Sequence, residues 1–272
     1  MQQILGLSLK RDVITMKKIS IMIPCYNEQE NVRPLYQAVR DILQGELNTY
    51  DWEMLWIDNK SKDRTREILR EICKEDSHVK AIFNMKNFGQ FNSPYYGLCQ
   101  TNGDCAILLC ADFQDPIELI PTMVHEWEKG HNVISMIKTS SRESKIMYFF
   151  RSIYYKTIRA MSDVPQIEHF TGFGLYDRSF IEVLKSLNDP TPFLRGIVAE
   201  YAPDHLEISY EQGRRKAGKT HNNFFSLFDA AMLSFTSYTK GGLRLATFSG
   251  FAISFISFII ANFYLIQKIL HW

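Results

Sequence analysis

Asp112, Gln114 and Asp115 stand close together at the exit of an apolar run, in the stretch Cys110-Ala111-Asp112-Phe113-Gln114-Asp115-Pro116. Residues two apart on extended backbone share a side, so the Asp112 carboxylate and the Gln114 amide oxygen are expected to face one ion. Hard oxygen donors at an open site suit Mg2+ or Mn2+, which keep several waters and take substrate phosphate oxygens as their remaining ligands. Cys110 shares that side, but a soft thiol is a poor ligand for such ions. Asp115, just before Pro116, reads as the cap of the next helix. A second chemistry is legible in Arg214-Arg215-Lys216-Ala217-Gly218-Lys219-Thr220, the densest positive run in the chain. Basic side chains around a glycine form an anion-gripping loop, and arginine can hold a phosphate through two parallel hydrogen bonds. Because the run lies shortly before a long apolar segment, it points to a phosphate carried by a lipid.

Strands must carry these groups to one place. Ile19-Ser20-Ile21-Met22-Ile23 alternates into Pro24, a strand end, since proline cannot donate to a ladder. Asn27 is expected to cap the following helix, with Glu30 three residues on and Val32, Leu35, Tyr36, Val39, Ile42 and Leu43 as its apolar face. Further strands are expected at 52–57, 79–83, 105–110 and 133–137, and helices at 63–72, 89–99 and 117–127. This alternation predicts an α/β fold, a mostly parallel sheet with helices on both faces. Ligands of such sheets lie at the carboxyl ends of the strands, where the polar clusters 24–28, 58–59, 84–87 and 110–115 all fall. Neither G-x-G-x-x-G nor G-x-x-x-x-G-K-[ST] occurs, so the dinucleotide fingerprint and the P-loop are both missing.

The 272 residues carry 31 basic and 30 acidic side chains, a balance that gives no reason to expect nucleic acid as partner. Cys25, Cys73, Cys99, Cys105 and Cys110 form no C-x-x-C pair, and free thiols in a reducing compartment are the reading. From Leu245 to Ile266 there is no charge, a stretch long enough at about 1.5 Å per residue to cross a hydrocarbon core of about 30 Å. Lys240 and Arg244 precede this segment, which places the large N-terminal part on the cytoplasmic side of a membrane. A basic, aromatic helix at about 144–161 and an amphipathic segment at 224–238 both suit a membrane surface. The expected organisation is an N-terminal extension at 1–16, a cytoplasmic domain at 17–222 with its acceptor part at about 140–222, a juxtamembrane helix at 223–242 and a transmembrane helix at 243–270.

Taken together, PCYNE at 24–28, LWIDNKSKDRT at 55–65, NFGQ at 87–90, CADFQDP at 110–116, LYDR at 175–178, FLRG at 193–196 and RKAGKT at 215–220 resemble a family 2 glycosyltransferase. The nearest type is the polyprenyl-phosphate sugar transferase, as in dolichyl-phosphate mannosyltransferases and bactoprenol glucosyltransferases. That resemblance implies a nucleotide-diphospho-sugar transferase (GT-A) fold. It also implies transfer of one sugar from UDP or GDP to a lipid phosphate at the cytoplasmic face, with inversion at the anomeric carbon and Mg2+ or Mn2+ as cofactor. Pro24, Tyr26, Glu28, Asp58, Asn59, Asn87, Ala111 and Asp112 would contact the nucleotide, and Asp112 with Gln114 the metal. Arg151, Arg215 and Lys219 would grip the acceptor phosphate, with Asp112 and Arg215 as the catalytic pair. Self-association is expected by analogy with relatives that carry interfacial helices.

The sequence departs from the family pattern at several of these places. The common VDDGS is Ile57-Asp58-Asn59-Lys60-Ser61, the common Asp-Ala-Asp is Cys110-Ala111-Asp112, and the common GDFRL is Thr171-Gly172-Phe173-Gly174-Leu175, without the carboxylate often proposed as base. A phosphate acceptor tolerates that loss, because a phosphate monoester has a second pKa near about 6 and is already an anionic nucleophile at neutral pH. Two rival readings remain: a catalytically silent membrane scaffold, and a transferase acting on a glycan hydroxyl, which would need a base.

Overall fold

Strand β1, Lys18–Cys25, is buried along almost its whole length, as a strand covered on both faces must be. A computed structural model describes residues 16–139, 167–213, 229, 232, 233, 236 and 241–270. β1 lies between β2 (Asp51–Asp58) and β4 (Cys105–Leu108), parallel to both, and β3 (Val79–Phe83) adds to β2 in the same sense. On the other side β6 (Phe170–Asp177) runs antiparallel to β4 and to β5 (Val133–Lys138), and β7 (Leu206–Tyr210) pairs in parallel with β5. The seven strands stand in the order β3-β2-β1-β4-β6-β5-β7. The expected mostly parallel sheet is therefore present, with one reversed strand.

Alternation along the strands sorts two cores. Ile19, Ile21 and Ile23 face α1 (Val32–Gly45), α2 (Thr65–Glu75) and α4 (Ile120–Glu128), where Leu35, Val39, Leu69 and Met123 are fully buried. Met22, Ile57 and Leu108 face α3 (Gly89–Cys99), α5 (Arg178–Leu187) and α6 (Leu194–Tyr201), packing on Leu98, Ile181, Leu184 and Val198. Period-two side chains from one sheet thus feed two helical layers, the arrangement that α/β folds need.

Local expectations differ from the structure in three places. α1 begins at Val32 rather than after Asn27. Asn27 instead takes φ +57, its Oδ1 accepts from Lys62 N at 2.7 Å and its own N–H donates to Ser61 Oγ at 2.8 Å, so it ties two loops together. Asp115 caps nothing: the 3-10 turn Ile117–Leu119 and α4 start without a side-chain cap, while Asp115 is buried against Tyr210. Residues 111–113 form a turn with Phe113 at φ +59, not extended backbone, so the i, i+2 argument for Asp112 and Gln114 does not apply. Helix α7, Gly241–Leu270, is long and apolar enough over 246–270 to cross a membrane, and Phe248, Phe251, Phe255 and Phe258 stand exposed along it. The expected helix at 144–161, the loop 214–220 and most of 224–238 lie outside the described residues.

Candidate active site

The carboxyl edge of the sheet opens into a cavity of about 870 Å3. Strand direction explains who reaches it. β1, β2, β4, β5 and β7 all end there, and β6, being antiparallel, brings its beginning, so Thr171 and Gly172 line the same space as Cys110 and Lys138. The start of α3 supplies Gly89, Gln90 and Phe91, and the start of α6 supplies Leu194 and Arg195. Asp229 and Leu233 lie on the lining as well.

Of the residues expected at a nucleotide, Pro24, Tyr26, Glu28, Asn59, Asn87 and Asp112 line the cavity, with Gln114 beside them. Asp58 and Ala111 do not. Asp58 is fully buried, ion-paired with Arg66 Nε at 2.9 Å and accepting from Ser61 N at 3.2 Å. Arg66 in turn lies over the Phe83 ring and donates to Asn84 O, so Asp58 acts on the shape of the loops around the site. Ala111 is buried in the turn. Arg151, Arg215 and Lys219 lie outside the described residues.

Around Asp112 the turn is held by its own Oδ1, which accepts from Gln114 N at 3.1 Å. Asp115, 3 % exposed, accepts from the Tyr210 hydroxyl at 2.8 Å through Oδ1, while its buried Oδ2 has no hydrogen-bond partner among the described residues. Burial pushes the Asp115 carboxyl above the usual range and the Asp112 charge adds to this, against the hydroxyl of Tyr210 and the charge of Lys138. Burial likewise pushes the Cys110 thiol far up, with Asp115 and Asp112 adding to the effect, so it stays a neutral thiol. Lys138, at the end of β5, is pulled the other way: burial lowers its pKa, and Asp115, Cys110 and Asp112 only partly restore its charge. At Gly172 φ is +99, a conformation that disfavours any side chain, and a Cβ there would press on Leu108. A carboxylate side chain at that position would be strained on this backbone.

Sequence alone does not mark Lys138, Arg195 or Tyr210 as site residues, and it reads Asp115 only as a cap. Lys138 stands at a strand exit, as the binding-edge rule would have required, and Arg195 sits inside FLRG; Tyr210 comes from β7, too short and too irregular in pattern to be read.

The sequence pattern described as Glycosyl transferase family 2 matches residues 20–184. This chain belongs to that family. The transferase is 31% identical over 255 residues to a bactoprenol glucosyl transferase of Shigella phage SfX, which spans 93% of this chain and 82% of its relative. It is 27% identical over 260 residues to an undecaprenyl-phosphate 4-deoxy-4-formamido-L-arabinose transferase of Photorhabdus laumondii, spanning 94% and 78%. Among solved structures, the glucosyl-3-phosphoglycerate synthase of Mycobacterium tuberculosis, in complex with Mn2+, UDP-glucose and phosphoglyceric acid, shares the fold with a TM-score of 0.53 at 14% identity, over 81% of this chain and 79% of that one. A GT-A-like sheet in a family 2 glycosyltransferase accounts for the strand order and for the position of the cavity.

Proposed function

We propose that this glycosyltransferase moves a sugar from a UDP- or GDP-sugar to a polyprenyl phosphate, with the cavity facing the cytoplasm and α7 anchoring it in the membrane. The observation that carries this reading is the pairing, in one cavity, of Asp112 and Gln114 with the cations Lys138 and Arg195. An enzyme moving a sugar from a nucleotide diphosphate to a second phosphate must hold two anions side by side, and this lining has separate groups for each. Its relatives named for bactoprenol and undecaprenyl phosphate support the lipid acceptor.

The donor set at the turn fits a hard divalent cation. Asp112 and Gln114 offer a carboxylate and an amide oxygen, Cys110 offers only a neutral thiol, and among the described residues no group of three or more His, Cys, Asp or Glu could enclose an ion. Asp112 and Gln114 would hold Mg2+ or Mn2+ together with diphosphate oxygens, and the ion would supply charge stabilisation on the leaving diphosphate. The chain's own groups do the rest. Lys138 and Arg195 grip the acceptor phosphate, a role the family resemblance also assigns to Arg151, Arg215 and Lys219, and set one of its oxygens in line with the anomeric carbon. A new C–O bond to that oxygen forms as the bond to the diphosphate breaks, which inverts the centre and needs no proton transfer. The glycine conformation at 172 favours this acceptor over a hydroxyl, which would require a base.

The test is a panel of radiolabelled UDP- and GDP-sugars offered to the full-length protein with polyprenyl phosphate and Mg2+ or Mn2+. Label is expected in the organic-extractable lipid with one donor, lost in Asp112→Ala and substantially kept in Cys110→Ser. Label appearing on a water-soluble glycan instead, or an Asp112→Ala variant as active as wild type, would sink the reading.

A further inference from the structure

Asn59 is 8 % exposed and lines the cavity, but its side chain is already fully committed. Its Nδ2 donates to Asn87 Oδ1 at 2.8 Å and to Gly89 O at 3.1 Å. Its Oδ1 accepts from Phe88 N at 2.8 Å and from Asn84 Nδ2 at 3.3 Å. A primary amide has two N–H donors and an oxygen with two lone pairs, so nothing is left over for a ligand. The orientation is dictated by backbone: Phe88 N can only donate and Gly89 O can only accept, so oxygen must face the first and nitrogen the second. No carboxylate satisfies both.

Asn87 is the opposite case. Its Oδ1 receives Asn59 Nδ2 and also Gly89 N at 2.8 Å, which uses both lone pairs. Its Nδ2, on the other side of the same amide, has no acceptor among the described residues, and the side chain is exposed on the cavity lining. Gly89, at φ +84, makes the tight return that lets its N–H reach Asn87, a conformation suited to glycine. Asn84 Nδ2 adds a bond to Ser93 Oγ at 3.1 Å, fastening the loop to α3.

We propose that Asn59 is a positioning residue that never touches the ligand, and that it aims the Asn87 Nδ2 donor at an acceptor oxygen of the bound nucleotide. This rests on the reading that the cavity takes a nucleotide sugar. The acceptor is a base carbonyl or a phosphate oxygen, which share the same hydrogen-bond chemistry.

Two near-isosteric variants separate the roles. Asn59→Asp sets oxygen against Gly89 O and Asn87 Oδ1, so the 84–89 loop should open. Asn87→Asp still accepts from Asn59 and Gly89, so the loop should stay closed, but its second oxygen now faces the ligand's acceptor. Titration calorimetry of the full-length protein with UDP and GDP, and hydrogen exchange of the segment containing the Phe88 amide, read these effects. Asn87→Asp is expected to weaken nucleotide binding about tenfold or more with wild-type Phe88 protection. Asn59→Asp should lose both, and the double variant should bind no more weakly than the worse single one. Uridine and UMP locate the acceptor: an effect retained with uridine assigns the base, one that appears only with phosphate assigns a phosphate oxygen. Retention with uridine also excludes plain charge repulsion as its cause. An Asn87→Asp variant that binds as tightly as wild type, or an Asn59→Asp variant with weakened binding and intact Phe88 protection, would overturn the proposal. A wild-type protein that binds neither UDP nor GDP would refute the nucleotide reading and the Asn87 contact together, while loss of Phe88 protection in Asn59→Asp would still establish the latch.

Discussion

Tyr210→Phe removes one oxygen and leaves the ring, and the structure says what that oxygen holds. The Tyr210 hydroxyl is the hydrogen-bond donor to Asp115 Oδ1 at 2.8 Å, and Asp115 Oδ2 is already buried without a hydrogen-bond partner among the described residues. Hydrogen bonds to charged groups contribute about 1.5–3 kcal/mol, and their loss here leaves both oxygens of a buried carboxylate without a strong donor. A loss of about 2 kcal/mol lowers Tm by about 4–8 °C at the ~2–4 °C per kcal/mol typical of chains of this size. The pH dependence has a definite sign. Burial raises the Asp115 pKa, so the native state binds its proton more tightly than the unfolded chain does. The associated stability is present below the ordinary carboxylate range and is lost as pH rises through the raised value. Removing Tyr210's hydroxyl raises that pKa further, so the gap between variant and wild type should be wide at pH 7.5 and should narrow toward acid. In an Asp115→Asn background, the same change should cost only the about 0.5–1.5 kcal/mol of a neutral hydrogen bond. Thermal unfolding of the four proteins in detergent at several pH values is the assay. Equal Tm losses in both backgrounds, or a gap that widens toward acid, would refute the account of Asp115 as a buried, Tyr210-held carboxylate.

Two further outcomes can be checked on the same material. Lys138→Met should raise KM for the polyprenyl phosphate far more than for the nucleotide sugar. Because burial lowers the Lys138 pKa, wild-type activity should fall on the alkaline side earlier than an ordinary lysine would allow, and Lys138→Arg should move that limb upward in a pH–rate profile. Gly174→Ala should destabilise the fold by about 3 kcal/mol, since a Cβ on β6 would overlap the Ile134 carbonyl oxygen of β5, and backbone cannot step aside as a side-chain tip can. A normal melting curve for that variant would contradict the close β5–β6 pairing.

Much of the architecture was legible because burial on both faces leaves a mark in the chain. β3 and α3 fall at the residues that periodicity assigns, and the apolar positions Val32, Leu35, Tyr36, Val39 and Leu43 are the buried face of α1. Residues whose partners are distant in sequence were not legible in this way. Asn27 reads as a cap because asparagine before an apolar run usually is one, yet it bonds to Lys62, 35 residues away. Asp115 reads as a cap for the same reason, and its partner Tyr210 is 95 residues away.

What the amino-acid sequence by itself determined is the alternation that builds the sheet, the apolar length of 246–270, and the collection of polar residues at strand exits, because these are properties of near neighbours along the chain. Which of those polar residues face the cavity was decided only by the tertiary structure. Asp58 and Asn59 are adjacent and equally polar; Asp58 is turned inward onto Arg66, and Asn59 is spent on four separate residues of the 84–89 loop. Lys138 joins Asp112 because β6 runs backwards between β4 and β5, and strand direction is set by long-range pairing that no local pattern records.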